Sequence, residues 1–512
     1  MNPESLLSLT KIVATLGPAT SSPEILLKII QGGVRVARIN FSHGTFEEYK
    51  DLIGKVRTAS FDTGIPVAVM GDLSGPKIRI GQVTEGGVML EPGMLVEFQE
   101  EETTTIPGKR IIFSTNYGKF IEEVHPGQTI LLNDGDVRME CMEKHLEADR
   151  KYIVCRIDEG GLITSHKGVN LPDTELSLPA LTDYDYKCIE FAVEQDVDYL
   201  ALSFVRCADD VRLLKNRLKE LGVRPFDLAL DREGGAVSLP ADLKSVRMIP
   251  VISKIEKPQA VHDLDEILKE SDGIMVARGD LGVEMDLAEV AVLQKEIVHQ
   301  CREFGVPVIV ATQMLQSMID SPVPTRAEVS DVANAIYDGA DAVMLSGETS
   351  VGKWPVETVA MMQRIAFKTN DYLRTNGIAE PVVPKKIHSR YRTSALADGV
   401  RTVVDEIDAK LIVMWTQLGG SASYLSQLRR TIPVVACTHH PKVLNQLALL
   451  YGIKPVLMDP PENGSEFIKA ADRLILEKGW AKKGDPVVFV YGEPIHVSGI
   501  TNTIYIHYLG ER

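Results

Sequence analysis

Two carboxylates, each two residues after a cation and near the end of an apolar run, mark where this chain could do chemistry. The first run is IPVISKIEK, with Lys254 and Glu256; the second is DGIMVARGDLG, with Arg278 and Asp280. Residues i and i+2 of a strand point to the same face. The spacing therefore predicts that Lys254 shares a face with Glu256, and Arg278 with Asp280. The carboxylates are 24 residues apart, about one strand-helix-strand repeat. If the two strands are neighbours in one barrel, Glu256 and Asp280 converge at one rim. Two oxygen ligands with open positions suit Mg²⁺, which keeps waters and completes its shell from substrate phosphates. The flanking Lys254 and Arg278 would meet phosphate or carboxylate charge. On spacing alone, two surface ion pairs explain the same residues equally well.

The elements that must position these groups tip the balance. Eight short apolar runs follow one another: KIVATLG, VRVARINFS, PVAVMGDLSG, VDYLALSFVR, IPVISKIEK, DGIMVARGD, VPVIVATQM and DAVMLSGE. They show little strict alternation, as parallel strands covered on both faces should. Helical patterns such as LAEVAVLQKEIVHQCREFG and RAEVSDVANAIYDG fill many of the gaps. Eight such units predict a (β/α)₈ barrel with its active site at the carboxyl ends of the strands. Those ends carry Arg38, Asn40, Ser42, Asp72, Ser203, Lys254, Glu256, Arg278, Asp280, Thr312 and Glu348. So many polar and charged groups on one rim are costly unless they bind something.

At 512 residues the chain is too long for one core, and two to four domains are expected. Its 44% apolar and 25% charged content is that of an ordinary globular protein. A net charge of −16 argues against non-specific nucleic-acid binding and against an anionic membrane surface. It leaves room for a local basic pocket, which Arg38, Arg79, Lys254 and Arg278 could form. Six scattered cysteines without a CxxC read as reduced thiols of a cytoplasmic protein, not as a disulfide framework or zinc site. The opening MNPESLLSLTK lacks the features of a signal peptide. No run approaches the roughly 18 apolar residues of a membrane span.

Residues 1–76 are expected to form the first three barrel units. From 77 to 175 the pattern changes to short alternating segments with the turns TEGG, EPG, IPGKR, HPGQ, NDGD and DEGG. These predict a small β domain, placed by its insertion point over the catalytic rim as a lid. Residues 176–369 resume the barrel, and 370–390 read as a polar linker. Residues 391–512 read as an α/β layer domain with strands KLIVMWT, IPVVACTH, KPVLMD, PVVFVYGE and TIYIHYLG. There TQLGGSA opens a helix, so the turn offers either an anion site at free N–H groups or a plain N-cap at Ser421. The stretch 223–248 is longer than a βα connection needs, and is expected to be a surface excursion or a small hairpin.

The motifs KIVATLGPAT, RINFSHG, GDLSGPKIRIG, KGVNLP, SKIEKPQA, MVARGDLGVE, ATQMLQSM, PTRAEVSDVANA and DGADAVMLSGETSVGKWPVE closely resemble the pyruvate kinase family, in the family's order, from Lys11 to Glu357. The C-terminal domain matches more loosely, through TQLGGSA and GITNT. The resemblance implies a (β/α)₈ TIM barrel with an inserted small β-barrel lid and a C-terminal α/β regulatory domain. It also implies a cytoplasmic homotetramer and transfer of the phosphoryl group of phosphoenolpyruvate to ADP, giving pyruvate and ATP, the last step of glycolysis. Carried over motif by motif, Glu256 and Asp280 match the ligands of Mg²⁺ or Mn²⁺. Lys254 matches the lysine at the moving phosphoryl group, and Arg38 the arginine on the substrate phosphate. Gly279, Asp280 and Thr312 match the substrate carboxylate site, with Thr312 also near the carbon that is protonated. Pro18, Asn40, His43, Arg79 and Lys167 match the nucleotide side.

Two departures from the family pattern stand out. Asn40, Ser42, Asp72 and the Leu73 carbonyl match a K⁺ site, after which many members read GPE. This chain reads GPK. The resemblance implies that Lys77, a tethered cation, replaces K⁺ there, so that no K⁺ is needed. The C-terminal turn, with Thr416, Gly419, Gly420 and Ser421 as its effector candidates, has Leu418 and two glycines where fructose-1,6-bisphosphate-activated members carry hydroxyls. An anionic effector is expected, its identity open. Two other functions compete. A barrel lyase or aldolase acting on phosphoenolpyruvate or pyruvate would use a similar Glu and Asp, but would not need Arg38, Lys254, the lid and the nucleotide-side residues together. A non-catalytic metabolite sensor would not need Lys254, Glu256, Asp280 and Thr312 intact.

Overall fold

The computed structural model describes residues 9–108, 110–147, 150–223, 248–376, 391–429, 432–497 and 500–511. Strands β1 (Lys11–Thr15), β2 (Val34–Asn40) and β3 (Ala68–Asp72) alternate with helices Pro23–Gly32 and Phe46–Thr63. The chain then leaves for a set of short strands: β4 (Val88–Leu90), β5 (Leu95–Gln99), β6 (Ile111–Ser114), β7 (Thr129–Leu132), β8 (Val137–Leu146), β9 (Lys151–Glu159), β10 (Gly161–Ile163) and β11 (Val169–Asn170). It returns as β12 (Tyr199–Leu202), β13 (Val251–Ile255), β14 (Gly273–Ala277), β15 (Val308–Ala311) and β16 (Ala342–Leu345). Strands β1–β3 and β12–β16 form one closed parallel barrel, in which β3 pairs with β12 across the excursion and β16 closes on β1. The stretch 224–247, most of the long connection expected between β12 and β13, lies outside the described residues.

Strand parity explains the weak alternation of the sequence. Val13, Val36, Met70, Ala201, Ile252, Met275, Ile309 and Met344 fill the barrel interior. Their neighbours Ile12, Ala37, Val69, Leu200, Val251, Ile274, Val310 and Val343 pack outward into the helical shell. Both faces are apolar because both are covered. Shell helices begin where sidechains cap them: Thr45 with Glu48, Thr182 with Asp185, and Thr325 with Glu328 form reciprocal capping boxes.

The excursion is a curled sheet in the order β11-β7-β8-β9-β5-β6 with a β10-β4 ribbon. It has a core of its own, built on Phe98, Phe113, Phe120, Met139 and Ile153. Asn170 Nδ2 donates to Glu284 Oε1 at 2.7 Å and Arg206 Nη1 to the Leu176 carbonyl at 2.8 Å, which fastens its return to the barrel rim.

The C-terminal domain holds β17 (Leu411–Trp415), β18 (Val434–Thr438), β19 (Ile453–Leu457), β20 (Pro486–Tyr491) and β21 (Thr503–Tyr508). Their order is β19-β18-β17-β20-β21, with only β21 antiparallel. The domain plugs the amino-terminal end of the barrel. Leu449 packs onto the barrel's interior residues, and Tyr199 Oη donates to the Gln446 carbonyl at 2.6 Å. Buried Asp341 accepts from Arg429 Nη2 at 2.7 Å and caps the Val308 N–H at 2.9 Å.

One boundary differs from the sequence reading. The polar text from Asn370 belongs to the helix Pro355–Asn376, not to a linker. Asn370 and Leu373 are buried on the inner side of that helix and its polar residues are the solvent face. Residues 377–390 lie outside the described set. Among the described residues no helix is long and apolar enough to cross a membrane.

Candidate active site

The inward series of five adjacent strands runs from apolar to polar at the carboxyl end of the barrel. Val13 is followed by Thr15, Val36 by Arg38, Met70 by Asp72, Ala201 by Ser203, and Ile252 by Lys254 and Glu256. Period two places all of these sidechains in one mouth.

They form a continuous ladder. Arg38 Nε donates to Asp72 Oδ2 at 2.6 Å, and its Nη1 donates to Thr15 Oγ1 at 2.8 Å. Lys254 Nζ donates to Ser203 Oγ at 2.8 Å, lies 2.9 Å from Glu256 Oε1 and 3.5 Å from Asp72 Oδ1. Ser203 Oγ donates to the Leu73 carbonyl at 2.7 Å. Glu256 Oε2 accepts from the Phe204 N–H at 2.7 Å, while its buried Oε1 accepts no hydrogen bond and has only the Lys254 charge beside it.

Burial and charge compete in this ladder. Burial opposes the Lys254 ammonium, but Asp72 and Glu256 outweigh it and hold the lysine's pKa above its usual value. Burial also opposes the Asp72 charge, and Lys254 and Arg38 overcome it to hold that carboxyl low. Glu256 goes the other way. Burial pushes its carboxyl up, Asp280 adds to the push, and Lys254 offsets only part of it. Two carboxylates that repel each other, one of them fully buried, form a site that a divalent cation would stabilise. Glu256 and Asp280 therefore fit the metal implied by the sequence. Among the described residues no third acidic, His or Cys ligand joins them, which leaves positions for water and substrate.

Asp280 reaches the mouth by a different route from the one expected. Strand β14 stops at Ala277, and Arg278–Glu284 is a helix. At about 100° per residue, positions two apart on a helix lie on nearly opposite sides, so Arg278 and Asp280 do not share a face. Arg278 is spent elsewhere: it donates to Asp331 Oδ1 at 2.7 Å, Gln294 Oε1 at 3.1 Å and the Thr312 carbonyl at 2.8 Å. It fixes the loop after β15 and does not serve substrate charge. Glu348 is likewise fully buried and accepts from the Leu315 and Ser346 amides.

That loop carries Thr312, whose φ of 67° is followed by 55° at Gln313. Thr312 Oγ1 accepts from the Gly279 N–H at 2.7 Å and donates to the Ala311 carbonyl at 2.6 Å. The expected carboxylate site thus brings Gly279 and Thr312 into direct contact, with Asp280 next in the chain. Phe204, with φ of 54°, is the third strained residue at a strand end. Each such backbone costs about 1–3 kcal/mol and persists where its surroundings enforce it. At Phe204 the conformation accompanies the N–H bond to Glu256.

The nucleotide-side and K⁺-side residues sit around the opening. Pro18 and His43 are exposed, and Asn40 Oδ1 accepts from the Ser42 N–H at 3.0 Å. Ser42 Oγ donates to Ser74 Oγ at 3.0 Å. Arg79 Nη1 donates to the His166 carbonyl at 3.0 Å, and the Lys167 carbonyl accepts from Ile80. Lys77 was expected beside Asn40, Ser42 and Asp72, yet its ammonium faces Asp134 Oδ1 of the inserted domain at 3.6 Å. Asp72 is instead engaged by Arg38 and Lys254. Asp134 enters through the turn Asn133-Asp134-Gly135, all three residues with positive φ, a through-space approach that sequence order does not show.

In the C-terminal domain Ser421 is not the cap. Gly419, with φ of 86°, precedes the helix Gly420–Gln427, and its N–H donates to Thr416 Oγ1 at 3.0 Å. Ser421 Oγ pairs with Thr501 Oγ1. Thr15, Phe204 and Thr501 were not singled out from sequence. Inward parity on β1 would have found Thr15, and Thr501 lies within the GITNT motif; nothing local marks Phe204.

The family model described as "Pyruvate kinase, barrel domain" matches residues 7–225 and 241–359, and "Pyruvate kinase, alpha/beta domain" matches 394–507. A pyruvate kinase of Mycobacterium intracellulare is 40% identical over 501 residues, covering 98% of each chain. One of Thermotoga maritima is 39% identical, covering 97% of this chain and 98% of its own. The crystal structure of a pyruvate kinase from Cryptosporidium parvum superposes with a TM-score of 0.87 at 31% identity, covering 99% of this chain and 98% of that one.

Proposed function

The chain belongs to the pyruvate kinase family, a phosphotransferase that passes the phosphoryl group of phosphoenolpyruvate to ADP to give pyruvate and ATP, and we propose that the carboxyl-end mouth of its barrel carries out this transfer. The observation that carries the assignment is the buried Arg38–Asp72–Lys254–Glu256 ladder on inward positions of adjacent strands. Steady pyruvate formation from phosphoenolpyruvate, ADP and Mg²⁺ in a coupled assay is the expected result. Activity without ADP, or carbon–carbon cleavage, would favour a lyase. No turnover in the folded protein would favour a sensor.

The roles follow from placement. Arg38 is held by Asp72 and Thr15, and its remaining N–H groups are free to fork onto the substrate phosphate. Lys254, kept charged by two carboxylates, faces the phosphoryl group as it spreads negative charge over three oxygens in a loose transition state. Ser203 positions that ammonium. Gly279, the Asp280 amide and Thr312 receive the substrate carboxylate, and Thr312 holds a hydroxyl near the carbon that gains a proton. Pro18, Asn40, His43, Arg79 and Lys167 line the approach of the nucleotide. Members of the family generally use a divalent metal; Glu256 and Asp280 would hold it, and it would supply neutralisation of the phosphate charge. The inserted domain, tied to the rim through Asn170 and Glu284, closes over the mouth and excludes water.

The monovalent-cation reading is carried by Lys77. Its ion pair with the exposed Asp134 is long and such pairs contribute about 1 kcal/mol or less, so the ammonium is easily recruited to Asn40, Ser42 and the Leu73 carbonyl when substrate binds. A K⁺ ion within about 4 Å of it would be repelled by roughly 4 kcal/mol at an effective dielectric near 20. Full turnover is therefore expected in tetramethylammonium buffer with Mg²⁺. Lys77→Glu should lose most of that activity and regain it with K⁺. Strong K⁺ activation of the unmodified enzyme would show that the ion, not Lys77, fills the site.

The anionic effector is assigned to Thr416, Gly419, Gly420 and Ser421. This turn follows β17, the strand flanked by β18 and β20 where the sheet order reverses, and ligands of open α/β sheets bind at that edge. A sugar phosphate or nucleotide monophosphate is expected to shift the half-saturation of phosphoenolpyruvate through a homotetramer. Titration at sub-saturating substrate reads this, and an unchanged half-saturation with every ligand would remove the assignment.

A further inference from the structure

Glu284 is the last residue of the helix that carries Gly279 and Asp280, and none of the roles assigned so far explains it. Asp280 and Glu284 are four residues apart, so their sidechains stand one above the other on the same side of that helix. Lys257 follows Glu256 directly. Its ammonium pairs with Glu284 Oε1, at sidechain exposures of 12% and 1%. The end of β13 and the helix are therefore joined by two successive pairs of residues. Glu256 and Asp280 are the first, and they repel each other. Lys257 and Glu284 are the second, and they attract.

The inserted domain reaches the same carboxylate oxygen. Asn170 of β11 donates from Nδ2 to Glu284 Oε1 at 2.7 Å. The turn Asn133-Asp134-Gly135 of the insert approaches the helix as well, since a Cβ on Gly135 would stand 3.6 Å from Val283 Cγ1. On the barrel side, Lys257 Nζ lies 5.9 Å from the centre of the Phe204 ring, and the Phe204 N–H donates to Glu256 Oε2. A hydrogen-bonded helix of seven residues moves as one piece, so a displacement at Glu284 is carried to Asp280.

Taking Glu256 and Asp280 as the metal ligands, we propose that Glu284 is the positioning residue for that pair. Its ion pair with Lys257 holds the end of β13 and the helix at the separation a divalent cation must fit. Its bond from Asn170 ties that separation to the placement of the inserted domain. Without the ion pair, the repulsion between Glu256 and Asp280 acts unopposed, and the cation must draw the two elements together as it binds. The Lys257–Glu284 clamp removes that cost in advance.

Mn²⁺ binding to the substrate-free, full-length protein, read by relaxation of water protons, tests this without turnover. Lys257→Met should raise the Mn²⁺ dissociation constant at least about tenfold, the scale for a lost charge-assisted hydrogen bond. The sign is diagnostic, because removing a cation beside the site would by charge alone tighten the binding of a divalent ion. Lys257→Arg should restore most of the affinity, which separates the clamp from damage to the fold. Asn170→Ala changes no charge and should raise the constant about threefold, and a merely structural sidechain would lower the thermal midpoint without moving it. Glu284→Gln combined with Lys257→Met should bind Mn²⁺ no more weakly than the worse of the two single variants, since both remove one interaction. Arg206→Gln loosens the other tie of the insert, to the Leu176 carbonyl, and should leave the affinity unchanged. Asp280→Ala is the reference, and full Mn²⁺ affinity there would remove the metal site itself. With affinity lost in Asp280→Ala, three results would each overturn the positioning role alone. These are unchanged or tighter binding in Lys257→Met or Asn170→Ala, additive losses in the double variant, and a loss in Arg206→Gln equal to that in Asn170→Ala.

Discussion

Lys254→Met will lower kcat by about 10³-fold while changing phosphoenolpyruvate binding by far less, the scale and pattern for removing an electrostatic stabiliser used mainly in the transition state. The ammonium is 2.9 Å from Glu256 Oε1 and 3.5 Å from Asp72 Oδ1, so it is charged, fixed and shielded before substrate arrives. In the ground state Arg38 shares the work of holding the phosphate. In flight the phosphoryl group depends on Lys254. Proton exchange at the methyl carbon of pyruvate needs no phosphoryl transfer and should survive in the variant. The substitution also strands two buried carboxylates, a change that costs about 3–5 kcal/mol when one partner of a buried pair is lost. Thermal unfolding must therefore be measured alongside, and Lys254→Arg serves as a charged control. Collapse of substrate binding with normal turnover of what is bound would contradict the role.

The second large effect is on the metal. Asp280→Ala and Glu256→Ala should each cost at least about 10²-fold in kcat at saturating substrate. They should also weaken Mn²⁺ binding read directly by paramagnetic relaxation of water protons. Burial pushes the Glu256 carboxyl up, and Asp280 adds to the push, so the two positions act as one site. Near-normal Mn²⁺ affinity in Asp280→Ala would refute it. Arg278→Ala provides the contrast. Its partners are Asp331, Gln294 and the Thr312 carbonyl, so it should disturb the loop after β15 and leave direct metal binding intact.

These contrasts show which parts of the site sequence could reveal. Lys254 and Glu256 were legible because the period of two carries on past the last residue of β13. Arg278 and Asp280 look identical on paper, but the chain turns helical immediately after Ala277 and the period changes under them. Thr15 obeys the same inward parity as its neighbours, yet a threonine in an apolar run carries no charge to attract notice. Phe204 was beyond reach, since a bulky residue at positive φ is disfavoured locally and is held there by the site around it. The polar text after Asn370 reads as linker because its buried positions include Asn370 and Thr369 themselves. The barrel, the curled insert and the α/β domain were readable from composition, turn density and run length. The Lys77–Asp134 contact needed the fold to bring two distant turns together.

Closure of the barrel sets a timetable for synthesis. β1 pairs β16, with Lys11 beside Ala342, so the first strand made waits for the last. At ordinary translation rates that interval is on the order of tens of seconds. During it β2 can protect one side of β1 while the other presents open N–H and C=O groups on an apolar strand, a template for wrong pairing. The inserted domain has its own core and is complete soon after β11, so it can fold on the ribosome well before the barrel that carries it. A nascent chain stalled after β15 would hold a finished insert on an open sheet with two unmatched edges. Its solubility would then depend on whatever occupies the edge of β1 until residue 342 emerges.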